Sequence, residues 1–423
     1  MKKTLTALLT ACLFVSLTQF CVEAKQKAKT APKTKQQQQI ELKVEKPQNI
    51  KDLEQTTQAE PKKLTEEKQQ AQLAQQKVSS ANDKKNKKDK KNKEIKKSEK
   101  VSINAEPGFM KEKVFYLKQC DNIKIAAEIY VPKEFDKNKE YPAIIVVHPA
   151  GGVKEQTAGL YAQKLAEKGF VTLAYDAAYQ GESGGEPRYV EDPASRVEDV
   201  RSAVDYLTTL PFVDKDNIGV LGICAGGGYA FNAAETEMRI KAVATVSAFD
   251  LGRARRQGLG DSIPEDQQKQ KLQTVADQRT REVNGKAYKY VEYVPDSKRE
   301  IPVNASAMYK EGYEYYKTSR GAHPRAVNKY LFTSLDKQMA FTAFDRPESI
   351  SPRAVLFIVG GNAETAYFSK EAYDKAKAPK EYFVIPNASH VALYDQTEYV
   401  APAVEKLAEF YSKYLSSHKE WVY

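Results

Sequence analysis

Cysteine is scarce in this chain: four residues in 423, at positions 12, 21, 120 and 224. The first two fall in a leader, so no disulfide framework holds the rest together, although a Cys120–Cys224 bridge is open to the sequence. Histidine is as scarce, at 148, 323, 390 and 418. Between Lys25 and Lys100 there is no aromatic residue, no glycine, no cysteine and no arginine. A segment so built cannot bury enough apolar surface to offset its ordering entropy, and it is expected to be disordered. Lacking rings to stack on bases and arginine forks to read them, it is not built to recognise specific nucleic acid. It holds 22 lysines against 11 acidic residues, and so carries the whole of the formal net charge of +10. Its expected role is a solvated spacer, with electrostatic contact to anionic envelope material as the alternative.

Long apolar runs are also missing. The run from Leu5 to Phe20 follows a basic start, Met1-Lys2-Lys3, and is shorter than the roughly 20 residues of a membrane span. With Val22-Glu23-Ala24 behind it, the stretch reads as a secretory signal peptide over residues 1–24. Leu9-Thr10-Ala11-Cys12 resembles a lipoprotein box but comes before the apolar run is complete. An exported protein, periplasmic or secreted, is expected, with the disordered segment over 25–100 and a folded domain over 101–423.

What the chain does have begins near Val101. Val114 to Leu117 and Ile123 to Val131 read as an antiparallel strand pair. Beyond them, continuous apolar strands (143–147, 170–175, 218–221, 240–246, 354–359, 382–385) alternate with amphipathic helices (156–168, 195–210, 369–377, 401–415). This alternation specifies an α/β fold, a mostly parallel central sheet with helices on both faces. Residues 251–345 interrupt it and are too long for an ordinary loop. They read as a Tyr-rich cap over the C-terminal ends of the strands, where open α/β sheets bind ligands.

The sheet pattern is centred on Gly222-Ile223-Cys224-Ala225-Gly226, between an apolar strand and a helix. Gly-x-Cys-x-Gly has the spacing of a nucleophile elbow with sulfur in place of oxygen. A dinucleotide fingerprint would need glycine at position 224, and a phosphate loop would need Gly-Lys-Ser/Thr. Cys224 is therefore the expected nucleophile, at a helix N-terminus that favours the thiolate.

An elbow nucleophile needs a base that arrives late in the chain, and only His390 stands there. The orienting acid is open between Glu364, beyond the strand 354–359, and Asp250, at the end of the strand before the cap. An oxyanion hole needs two backbone donors. Ala225 follows the nucleophile, and the loop His148-Pro149-Ala150-Gly151-Gly152 offers Ala150 or Gly151, since Pro149 has no N–H. His148 is expected to anchor that loop.

Together, the elbow, the His-Pro-x-Gly-Gly loop and Ser389-His390 resemble the α/β-hydrolase superfamily, and within it the dienelactone-hydrolase-like proteins with a Cys-His-Asp triad. Residues 153–159 and 179–188 resemble a bacterial branch of these hydrolases, some of them likened to polyketide-transferring acyltransferases. The resemblance covers about residues 110–415. It implies an α/β-hydrolase fold with an inserted cap and a Cys-dependent hydrolase of an ester, thioester or lactone, needing no cofactor or metal. An acyltransferase using the same acyl-enzyme, or an inactive binding protein on this fold, are the rival readings. Glu364 in place of Asp, the large cap and the Lys-rich front end depart from the family pattern.

Overall fold

The computed structural model describes residues 104–106 and 108–416. The leader 1–24, the Lys-rich segment 25–100 and His418 lie outside the described residues. The chain enters through three antiparallel strands, β1 (Asn104–Glu106), β2 (Phe109–Leu117) and β3 (Lys124–Pro132), with Leu117 opposite Lys124 across the turn. Then follow β4 (Tyr141–Val147), α1 (Thr157–Ala166), β5 (Val171–Tyr175), α2 (Pro193–Leu207), β6 (Val213–Ile223), α3 (Ala225–Ala234) and β7 (Ile240–Val246). After a long excursion come β10 (Ala354–Gly360), α8 (Ala366–Lys375), β11 (Lys380–Ile385), α9 (Ala392–Asp395) and α10 (Thr397–Tyr414). The excursion holds α4 (Leu251–Gln257), α5 (Glu265–Val283), β8 (Tyr290–Glu292), α6 (Ala307–Lys317), β9 (Lys329–Leu331) and α7 (Leu335–Ala340).

Nine strands form one sheet in the order β1-β2-β3-β5-β4-β6-β7-β10-β11. From β5 to β11 all pairs are parallel, and β3 meets β5 antiparallel. Ala143 to Val147 and the whole of β10 are buried on both faces, which is why their sequences are unbroken apolar runs. Each large aliphatic side chain so buried contributes roughly 1.5–3 kcal/mol. α2 starts where Asp192 accepts a hydrogen bond from the Ala194 amide and Pro193 takes the first helical position. Val197, Val200, Val204 and Leu207 are its buried stripe.

The strand order places the site. From β4 the chain crosses to β5 on one side, whereas β6 and everything after it build on the other. The loops leaving β4 and β6 thus diverge from neighbouring strands, with Val147 beside Gly222, and open a crevice at the switch point. In the excursion, β8 and β9 form a separate antiparallel pair over a small core of Val275, Tyr330, Phe332, Leu335 and Met339. Among the described residues no helix is long and apolar enough to cross a membrane.

Candidate active site

Cys224 occupies the turn between β6 and α3 with φ 55° and ψ −126°, a conformation that costs a non-glycine residue of order 1–3 kcal/mol. Two glycines make the turn possible. A Cβ on Gly222 would lie 2.2 Å from the Gly226 carbonyl oxygen, and one on Gly226 would lie 2.3 Å from that of Val147. The backbone is then tied down by Cys224 N–H donating to Val246 and by the Cys224 carbonyl accepting from Gly227 and Phe249. The Tyr394 hydroxyl and the Ala225 amide both favour the thiolate of Cys224. The expected thiolate is corrected here: desolvation of the half-buried Cys224 outweighs both influences and pushes the thiol up to about 11. Cys120 is exposed, and both cysteines are free.

The loop after β4 is held from inside. The Ala177 amide donates to His148 Nε2 at 3.0 Å, so the ring proton sits on Nδ1, which donates to the Pro149 carbonyl at 2.7 Å. Burial, with Arg196 nearby, keeps this imidazole well below its ordinary pKa, and so neutral. Arg196 Nη2 donates to the His148 carbonyl at 2.7 Å. His148 is thus an anchor. The Ala150 and Gly151 amides donate no hydrogen bond among the described residues, so both are open to an oxyanion. Gly151 has φ +72°, and a Cβ there would lie 2.7 Å from the Tyr293 ring of the excursion.

His390 follows β11 and is buried. Its carbonyl accepts from Ser247 Oγ at 3.1 Å, and Phe249 stands edge-on to its ring. Nδ1 lies 2.5 Å from Thr365 Oγ1, and Nε2 lies 3.3 Å from the Tyr394 hydroxyl. Burial lowers the imidazole to about 3. No hydrogen bond joins His390 directly to Cys224 among the described residues.

Neither expected acid reaches His390. The exposed Glu364 carboxylate accepts from the Ala307 and Met308 amides at 3.1 Å each, capping α6. Asp250 accepts from the Arg253 amide at 2.9 Å and caps α4. Each carboxylate sits at a helix N-terminus, where free N–H groups and the dipole attract it. Thr365 and Tyr394 are the partners that sequence reasoning missed. Thr365 is one residue past the expected acid, and Tyr394 stands four residues after His390, a helical spacing that was the available signal.

Glu155, Asp176 and Glu182 approach one another closely enough to suggest a metal site. Their centre is filled by the buried Lys154 ammonium, 2.6 Å from Glu155, 2.9 Å from Asp176 and 2.6 Å from Glu182. That cation supplies the charge a metal would bring, and it ties the loop after β4 to the loop after β5.

Comparison with known proteins agrees with this fold. The dienelactone hydrolase family model matches residues 125–275. The uncharacterized protein YcjY of Escherichia coli (strain K12) is 40% identical over 308 residues, covering 72% of this chain and 100% of that protein. The crystal structure of hypothetical protein PA2218 from Pseudomonas aeruginosa superposes with a TM-score of 0.69 at 36% identity, covering 75% of this chain and 100% of that one. A thiohydrolase of Eupenicillium brefeldianum is 26% identical over 269 residues, covering 63% of this chain and 84% of that protein. Sheet order, elbow and relatives lead to one conclusion: the chain is a hydrolase of the α/β-hydrolase fold and belongs to the dienelactone hydrolase family.

Proposed function

We propose that the protein cleaves a carboxylic ester, thioester or lactone through an acyl-enzyme on Cys224, with His390 as the base. The observation that carries this reading is the elbow itself, a positive-φ cysteine at the N-terminus of α3 in a turn that only Gly222 and Gly226 make possible. As the thiol loses its proton toward His390, sulfur bonds to the carbonyl carbon and the oxyanion forms against the Ala225 amide and the amide of Ala150 or Gly151. Collapse breaks the bond to the leaving group, which takes a proton from the imidazolium. Water, deprotonated by His390, then releases the acid and frees the thiol. Thr365 takes the place beside Nδ1 that the sequence assigned to Glu364 or Asp250. The thiohydrolase relative supports a thioester among the substrates.

Cys224→Ala should abolish turnover of p-nitrophenyl acetate and of an aryl thioester, and the wild-type protein should carry an acetyl mass adduct on Cys224 after quenching. Wild-type rates in Cys224→Ala would sink the assignment. Product analysis with and without an added alcohol or amine separates hydrolysis from acyl transfer. Export is part of the same reading: residues 1–24 act as a signal, and N-terminal sequencing of protein from the cell envelope or medium should begin at Lys25. Retention of the leader would refute it.

A further inference from the structure

We propose that Tyr293 and Asn328 recognise the acyl side of the substrate and select an acyl group bearing a hydroxyl close to the scissile carbonyl, an inference that rests on the hydrolase reading above. The small hairpin of the excursion brings the two residues together. Glu292 ends β8 opposite Lys329, where β9 begins, so Tyr293 and Asn328 are the next facing pair. The Tyr293 amide donates to the Asn328 carbonyl at 2.9 Å, and the Val294 amide donates to Asn328 Oδ1 at 3.1 Å. The second bond fixes the side-chain amide, because only its oxygen can accept. Nδ2, with two N–H donors, is therefore turned away from Val294.

The free ends of both side chains converge on the oxyanion loop. Asn328 is only 1% exposed, yet its Nδ2 has no hydrogen-bond partner. The Tyr293 hydroxyl is also buried and has none. Pro149 to Gly152 form a turn closed by the Gly152 amide, which donates to the Pro149 carbonyl at 3.1 Å. On Gly151, the third residue of that turn, a Cβ would lie 2.9 Å from Tyr293 Cε2 and 3.4 Å from Asn328 Nδ2. The Tyr293 ring is held there by Tyr330, with centroids 5.0 Å apart, and by the Arg255 guanidinium 5.5 Å from its centre. Buried N–H and O–H groups cost free energy while unpaired, and two of them beside an oxyanion hole are placed to meet a substrate.

The chemistry of the pair selects the partner. Asn328 Nδ2 can only donate, whereas the Tyr293 hydroxyl can donate and accept. A substrate hydroxyl complements both, its oxygen accepting from Nδ2 and its proton passing into a hydrogen bond with the Tyr293 oxygen. A methylene at the same point would leave both groups unpaired. The oxyanion itself is served by the Ala225 amide and that of Ala150 or Gly151. In the sheet, β4, which leads into the Gly151 turn, and β11, which leads to His390, lie on opposite sides of β6. The leaving group takes its proton from His390, so the part of the substrate that faces Tyr293 and Asn328 is the acyl chain.

The test compares p-nitrophenyl butanoate with each enantiomer of p-nitrophenyl 3-hydroxybutanoate, using the full chain. The wild type should favour one hydroxylated enantiomer over the butanoate by roughly 10–100-fold in kcat/KM. Tyr293→Phe keeps the ring, and Asn328→Asp keeps the oxygen that holds Val294; each should cut that ratio by about 10-fold. Equal kcat/KM for hydroxylated and plain esters in the wild type would overturn the proposal, and this result needs no variant to fold. Losses of the same size on all esters in both variants would also overturn it, assigning the pair to the oxyanion. Calorimetric titration with the 4-nitroanilides of the same acids separates recognition from chemistry. Tighter binding of a hydroxylated anilide, lost in both variants, would support the site even if no ester were hydrolysed, a result that would sink the hydrolase reading alone. Ester hydrolysis that Cys224→Ala abolishes, with no preference in kinetics or binding, would overturn the recognition site alone.

Discussion

Thr365 Oγ1 lies 2.5 Å from His390 Nδ1, and both side chains are buried. A hydroxyl here fixes the orientation of the imidazole, as an acid would, but gives the imidazolium no full countercharge. Thr365→Val, which keeps shape and removes the hydroxyl, should lower kcat by roughly 10–100-fold with KM little changed. Thr365→Ser should restore most of the rate. Steady-state kinetics of the two purified variants checks this, and equal rates in Thr365→Val and wild type would remove Thr365 from the mechanism.

Glu364 and Asp250 are expected to behave as caps. Glu364→Gln should leave kcat within about two-fold and Glu364→Ala should destabilise by about 0.5–2 kcal/mol, the scale of a lost cap. Denaturant melts measure the second figure. A hundred-fold fall in kcat for Glu364→Gln would return the carboxylate to the site.

The pH profile follows from burial. With His390 held at about 3 and Cys224 at about 11, the resting pair is thiol and neutral imidazole between those values. A base whose pKa is depressed stays unprotonated as the pH falls, so kcat/KM should change less than about two-fold from about pH 7 to about pH 5. An imidazole at its ordinary value near 6.5 would lose about 25-fold over that interval. The ultraviolet absorbance of a thiolate should be absent at neutral pH.

Lys154 faces three carboxylates with its ammonium fully buried. Lys154→Met should destabilise by about 3–5 kcal/mol, because it strands buried charge. The melting temperature should fall, and the site loops on either side should become more sensitive to protease.

The parallel sheet was legible because its strands are apolar on both faces, and runs such as Ala354 to Val359 have no other use. The elbow was legible because Gly222 and Gly226 answer to local sterics. β6 is longer than its apolar run, since Val213 pairs with Tyr141 ahead of a register irregularity that carries Asp214, Lys215 and Asp216, before regular pairing resumes at Ile218. Local pattern carries little information on which side chain meets Nδ1 of His390, because that depends on the path from β10 into α8. There Glu364 turns outward to α6 and Thr365 turns in. Likewise the thiol's ionisation is set by burial beneath α6 and α9, which the helix N-terminus alone does not disclose.

The excursion between β7 and β10 reaches the base-bearing loops at three points. Glu364 caps α6, Glu311 of α6 accepts from Ser389 at 2.5 Å, and Arg320 holds Asp395 and the Val391 carbonyl. For protein engineering this means that the insertion is not a cassette. Grafting in a relative's version to change specificity would withdraw three supports from the segment that carries His390 and Tyr394, so selectivity and turnover would shift together unless Glu311 and Arg320 were carried across with the graft.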